Sequence, residues 1–129
     1  MGPSTAKCVL IVDDSASIRE AVCGLFEREA DFKVCGEAEN GKVAVEKAQE
    51  LSPDLIVLDL SMPVMNGLDA ARVLKRLMPT VPLIMFSAFG DGSVRYQARL
   101  VGISEVVSKS EHASVLILKA RSLVYSDAA

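Results

Sequence analysis

The stretch from Leu55 to Gly67 constrains this chain more than any other. Four consecutive apolar residues, Leu55-Ile56-Val57-Leu58, run into Asp59 and then into Leu60-Ser61-Met62-Pro63-Val64-Met65-Asn66-Gly67. A strand with no polar alternation must be covered on both faces, the condition of inner strands in a parallel sheet, and the Pro, Asn and Gly beyond it mark a loop. Asp59 then stands at the carboxyl end of a strand, where open α/β sheets bind their ligands. An Asp is also an ordinary first residue of a loop. Its role therefore depends on what else reaches the same edge.

The same pattern of apolar run, polar tip and helix recurs along the chain. Cys8 to Val12 is a second continuous apolar run, and it ends in Asp13-Asp14. Ser15 predicts an N-cap for a helix that turns Ile18, Ala21, Val22, Leu25 and Phe26 inward. Phe32 to Ala38 predicts another strand, and Asn40-Gly41 opens a helix with Ala44, Ala48 and Leu51 inside, ended by Ser52-Pro53. After Gly67 a third helix carries Ala70, Val73, Leu74 and Leu77 on one stripe and stops at Pro79. Pro82 to Phe86 predicts a buried strand ending in Ser87-Ala88. Phe89-Gly90-Asp91-Gly92 is flexible by composition and leads into a helix over 93–101 with a thin apolar face, predicted to be the most mobile part of the fold. Glu105 to Ser108 gives the fifth strand, followed by Lys109. A last helix over about 111–126 turns Ala113, Leu116, Ile117, Ala120, Leu123 and Val124 inward, which leaves Val115, Leu118 and Tyr125 on an outward sector. Five strands alternating with five helices predict an α/β fold: a doubly wound, flavodoxin-like, five-stranded parallel sheet in the order 2-1-3-4-5, with right-handed crossovers.

At 129 residues the chain fits a single domain over 7–126, with residues 1–6 set aside as a disordered N-terminal segment or an expression scar. A net charge of -3 offers no basic field to nucleic acid or to an anionic membrane. No apolar run approaches the ~18 to 20 residues of a membrane span, and no signal peptide is evident, so a cytoplasmic protein is expected. Cys8, Cys23 and Cys35 form an odd set without metal-ligand spacing. The expectation for them is free structural thiols in a reducing compartment.

Parallel strands would bring Asp13, Asp14, Asp59, Ser87 and Lys109 to one edge of the sheet. At an effective dielectric of about 20, two charges about 4 Å apart interact by roughly 4 kcal/mol, so crowded carboxylates call for a cation. Hard oxygen donors on an open edge favour magnesium over a closed calcium cage or a soft metal. A lysine and a hydroxyl on the opposite side suit a transferring phosphoryl group.

With these residues assembled, the chain resembles the receiver domains of bacterial two-component response regulators, over about Lys7 to Val124. The resemblance rests on Val12-Asp13-Asp14, on Asp59 through Met62-Pro63-Val64-Met65-Asn66-Gly67, on Ser87-Ala88 and on Lys109. It implies that Asp59 takes a phosphoryl group from the phosphohistidine of a sensor histidine kinase or phosphotransfer protein. Asp14, Asp59 and the backbone carbonyl of Ser61 would hold magnesium, with Asp13 acting directly or through water. Ser87 would donate to one phosphoryl oxygen and Lys109 would pair with another. The signal would leave through the fourth helix, fifth strand and fifth helix, to an effector protein or a second copy of the chain. Such a module is a phosphoacceptor regulator rather than an enzyme, with at most weak self-catalysed phosphoryl transfer and autodephosphorylation.

The segment from Glu29 to Ala38 resembles the subgroup whose receivers usually precede a helix-turn-helix DNA-binding domain. Few residues follow the last predicted helix, which leaves a stand-alone receiver and one excised from a longer regulator both open. Two positions depart from the family. Val106 stands where an aromatic switch residue is common, and Ser110 stands where Pro with a cis bond is common. A cis bond without Pro costs about 2.5 to 4 kcal/mol, so a trans Lys109-Ser110 bond is predicted. By the same resemblance Ser61 and Phe89 overhang the phosphoryl group, and Phe89, unable to orient water, implies slow autodephosphorylation.

Particular residues speak against other readings. An aspartate-nucleophile phosphohydrolase needs a second Asp two positions on, where this chain has Ser61. A flavin- or nucleotide-binding module would want a glycine- or hydroxyl-rich loop after the first strand, and Asp13-Asp14 would repel its phosphates. An interaction module that no longer takes phosphate gains nothing from an intact Asp59, Ser87 and Lys109.

Overall fold

The computed structural model describes residues 6–88 and 92–125. Among them the elements run β1 (Lys7–Val12), α1 (Ala16–Glu27), β2 (Phe32–Ala38), α2 (Gly41–Leu51), β3 (Leu55–Leu58), α3 (Gly67–Leu77), β4 (Leu83–Ser87), α4 (Gly92–Leu100), β5 (Glu105–Ser108) and α5 (Ala113–Val124). The strands pair in parallel in the order β2-β1-β3-β4-β5, as expected.

Alternation along the inner strands builds two cores, because successive side chains in a strand point to opposite faces. Leu10, Val12, Ile56, Leu58, Leu83 and Met85 pack with Ala44 and Ala48 of α2, Ala70 and Leu74 of α3 and Ala98 of α4. Val9, Ile11, Leu55, Val57, Ile84 and Val107 pack with Val22 and Phe26 of α1 and Leu116 and Ala120 of α5. Helices on both faces explain why β1 and β3 read as unbroken apolar runs. Ser15 Oγ accepts from the Ile18 N–H at 3.3 Å, and Asn40 and Asn66 Oδ1 each accept from the third residue on at 2.9 Å, fixing the starts of α1, α2 and α3.

Several expected inward positions differ. Ala21 is exposed, and Cys23 takes the buried place beside Val22. Leu77 is 45% exposed, because α3 ends there and Met78 packs against the core instead. Of the residues expected to face outward from α5, Leu118 does, but Val115 packs half-buried against the core. Tyr125 lies edge-on to Phe32, at 5.9 Å between ring centroids, and its hydroxyl donates to the Asp31 carbonyl.

The cysteines require a correction. Cys8 and Cys35 are joined by a disulfide, with 5.5 Å between Cα atoms, and Cys23 alone is a free, buried thiol. The reason is a bulge in β2: Val9 pairs with Val34 and Leu10 with Gly36, so Cys35 is the extra residue between them. Among the described residues no helix is long and apolar enough to cross a membrane.

Candidate functional site

The sheet's hydrogen-bond ladder continues one residue past the strand ends, and that continuation places the polar residues. Asp13 N–H donates to the Ala38 carbonyl at 3.0 Å, Asp59 N–H to Val12 at 3.0 Å and Lys109 N–H to Ser87 at 2.8 Å. The backbones of Asp13, Asp59 and Lys109 are thereby fixed at one edge. Lys109 Nζ reaches Asp13 Oδ2 at 2.9 Å and Asp59 Oδ1 at 3.2 Å. Asp13, Asp59 and Ser87 are all buried, and Asp14 is exposed. One carboxylate oxygen from each of Asp13, Asp14 and Asp59 lies within 4.8 Å of the others.

The electrostatics follow from this crowding. Burial, followed by the charge of Asp13, pushes the Asp59 carboxyl above its ordinary range, while Lys109 pulls the other way. Burial works against the Lys109 ammonium, but the hydrogen bond to Asp13 and the charges of Asp59 and Asp13 outweigh it, so its pKa rises. Lys109 is therefore a fixed positive charge between two carboxylates. Its Nζ also lies 5.9 Å from the centre of the Phe86 ring.

The loop after Asp59 is shaped by two close approaches. Met65 N–H donates to the Pro63 carbonyl at 2.7 Å across Val64, whose φ of 68° makes this the rare, strained form of the γ-turn. Met65 in turn accepts from the Gly41 N–H at 3.0 Å, tying the loop to the start of α2. Gly67 comes so near the Asp59 carbonyl that a β-carbon there would collide with it. Ser61 lies exposed on this loop, lining an open cleft with Asp14, Met62, Pro63 and Asn66.

The structure thus brings Asp13, Asp14, Asp59 and Lys109 together, puts Ser87 at the end of β4 beside Ser108 of β5, and places Ser61 on the adjoining loop. The Lys109-Ser110 peptide is trans, and Val106 is buried. Phe89 lies outside the described residues. Sequence reasoning missed Arg19, which donates to the Asp13 carbonyl at 2.7 Å and to Glu37 at 3.1 Å. It also missed the Ser15 N–H, which donates to Asp13 Oδ1 at 2.9 Å. The available signal for Arg19 was a charged residue one turn into α1, next to inward-facing Ile18.

Residues 9–121 match the family model of the response regulator receiver domain, and the chain belongs to that family. It is a signalling module of the two-component type. Over 104 residues it is 44% identical to the protein-glutamate methylesterase/protein-glutamine glutaminase 1 of Methanosarcina acetivorans, covering 79% of this chain and 30% of that protein. It is 39% identical over 103 residues to the chemotaxis protein CheY of Thermotoga maritima, covering 80% of this chain and 85% of the other. The crystal structure of the response regulator domain of Thermotoga maritima CheB superposes with a TM-score of 0.87 at 32% identity, over 95% of this chain and 98% of that one. The chain spans less than a third of the methylesterase's length.

Proposed function

We propose that Asp59 is a phosphoacceptor, charged by the phosphohistidine of a sensor histidine kinase or phosphotransfer protein in the cytoplasm. The observation that carries this reading is the lysine clamp: Lys109 Nζ within 3.2 Å of both Asp13 and Asp59, at the edge where three carboxylates converge. In the transfer a carboxylate oxygen of Asp59 forms the new P–O bond as the P–N bond to imidazole breaks, and the departing imidazole takes the electron pair and a proton. Lys109 exchanges its bond to Asp59 for one to a phosphoryl oxygen, and Ser87 donates its hydroxyl to another.

Magnesium fits this donor set. Three carboxylates within 4.8 Å, one of them exposed, supply hard oxygens on an open edge, and Asp13, Asp14, Asp59 and the Ser61 carbonyl would hold the ion. When bound, it supplies charge neutralisation between the carboxylates and the incoming phosphoryl group. Lys109 and Asp13 keep the acceptor oriented.

The phosphorylated state acts through α4, β5 and α5 on an effector protein or a second copy of the chain. Tyr96 and Leu100 of α4 and Leu118 of α5 are each more than 60% exposed, and Lys119 pairs with Glu105 across α5 and β5 at 3.3 Å. With Val106 in the usual aromatic position, the change passes through the backbone after Ser87 rather than through a ring flip. Net charge of -3 argues against direct nucleic-acid or membrane binding by this domain. The test is to incubate the protein with acetyl phosphate, with and without magnesium. The intact mass gains one phosphoryl group only with the metal; equal uptake without it, or none in either case, contradicts the proposal.

A further inference from the structure

Two of the three cysteines face each other in an arrangement that the phosphoacceptor site does not use. Cys8 is held rigidly: its N–H donates to Asp54 Oδ2 at 2.8 Å, and its carbonyl accepts from the Asp54 N–H at 2.8 Å. Cys35 is the bulge residue of β2, an edge strand, and it lines an open groove between β2 and α1. The bulge sets its Cα 5.5 Å from that of Cys8, within the range a disulfide spans without backbone movement. Cys35 Sγ also lies 3.5 Å from the Val9 carbonyl, an oxygen that can accept from the thiol once the bond is reduced. Cys23, on the same groove, is buried, and burial pushes its thiol up to about 11. A thiol so protonated is a poor nucleophile and does not scramble the pair.

We infer that Cys8 and Cys35 form a reversible dithiol–disulfide modification site, oxidised by exchange with a small-molecule disulfide of the glutathione type. The thiolate of one cysteine attacks the small disulfide and releases one small thiol. The second cysteine then attacks the mixed disulfide and releases the other. The two protein S–H bonds become one S–S bond, the reagent's S–S bond becomes two S–H bonds, and the protons pass to the released thiols. In a reducing compartment such bonds are usually transient and redox-sensing rather than permanent braces.

The bond acts on the strand that shapes the acidic edge. Downstream of the bulge, Ala38 accepts from the Asp13 N–H, and Glu37 holds Arg19 on the Asp13 carbonyl. Closing a loop with 27 residues of sequence separation, the crosslink fastens β2 to β1.

The test uses the wild-type protein equilibrated in buffers of glutathione disulfide and glutathione. Digestion without reductant should yield a peptide pair linked through Cys8 and Cys35 under oxidising conditions. The link should vanish on reduction, form again on reoxidation of the folded protein, and leave Cys23 free throughout. The oxidised protein should melt about 10 °C higher, and amide exchange over residues 32–38 should quicken on reduction. Cys23→Ser should keep the shift and Cys35→Ser should lose it. No Cys8–Cys35 link, a link through Cys23, failure to re-form, or identical melting and exchange in the two states would overturn the inference.

Discussion

The backbone carbonyl of Asp59 occupies the space that a β-carbon on Gly67 would need, while the Gly67 N–H donates to the Leu60 carbonyl at 2.8 Å. The start of α3 is thereby packed directly onto the acceptor's backbone. Gly67→Ala should cost about 1 to 3 kcal/mol in urea unfolding, the usual range for overpacking. Phosphoryl uptake should fall with it, because the side chain's position over Lys109 depends on that backbone. Wild-type stability and uptake together would show that the contact relaxes freely.

Val64 is a β-branched residue at φ 68° and is 77% exposed, so its side chain gives little in return for a strained backbone. Val64→Gly, which takes a positive φ with no β-carbon penalty, should raise stability by about 0.5 to 1 kcal/mol. Equilibrium unfolding measures this. A loss of stability would mean that the Val64 side chain makes contacts worth more than the strain.

Arg121 donates to Asp31 at 2.7 and 2.9 Å and to Glu29 at 2.8 Å, joining α5 to the turn between α1 and β2. The hydrogen bond from Arg121 holds the Asp31 carboxyl below its ordinary 3.8. A carboxyl depressed on folding adds stability that is complete above its unfolded value and is lost as pH falls through its folded value. Asp31→Asn should therefore be less stable than wild type near neutrality, and the gap should close as pH drops below about 4. Parallel stability curves across that window would count against the pair.

The residues that were legible in the sequence are those whose burial leaves a mark on composition. β3 is covered on both faces, so Leu55 to Leu58 has no polar residue, and Asp59 at its end stands out. Asp13 and Lys109 were legible because parallel strands place every carboxyl end at one edge. Leu77 was misread because helical periodicity does not show that α3 ends there and that Met78 takes the core contact in its place. Cys35 was misread because a bulge changes a strand's register without changing its composition. Arg19 left only a faint mark, a charge beside inward-facing Ile18, since one of its partners is a backbone carbonyl that any residue possesses and the other, Glu37, lies on a different element.

Leu118 is 62% exposed on α5, near the Lys119–Glu105 pair. Leu118→Glu should weaken phosphorylation-dependent self-association or effector binding while leaving phosphoryl uptake at the wild-type level. Sedimentation with and without acetyl phosphate reads the first effect and intact mass the second. Association unchanged by the substitution would remove this face from the signalling route.

The position of the phosphoryl group is the most direct test of the account. The protein is charged with acetyl phosphate and magnesium, then treated with borohydride, which reduces an aspartyl phosphate to homoserine at the modified position alone. Peptide sequencing by mass spectrometry should find homoserine at Asp59, and Asp59→Asn should show none at any position. Homoserine at Asp13 or Asp14 in the wild type, or none at Asp59 in a protein whose intact mass shows a phosphoryl group, would contradict the assignment of Asp59 as acceptor.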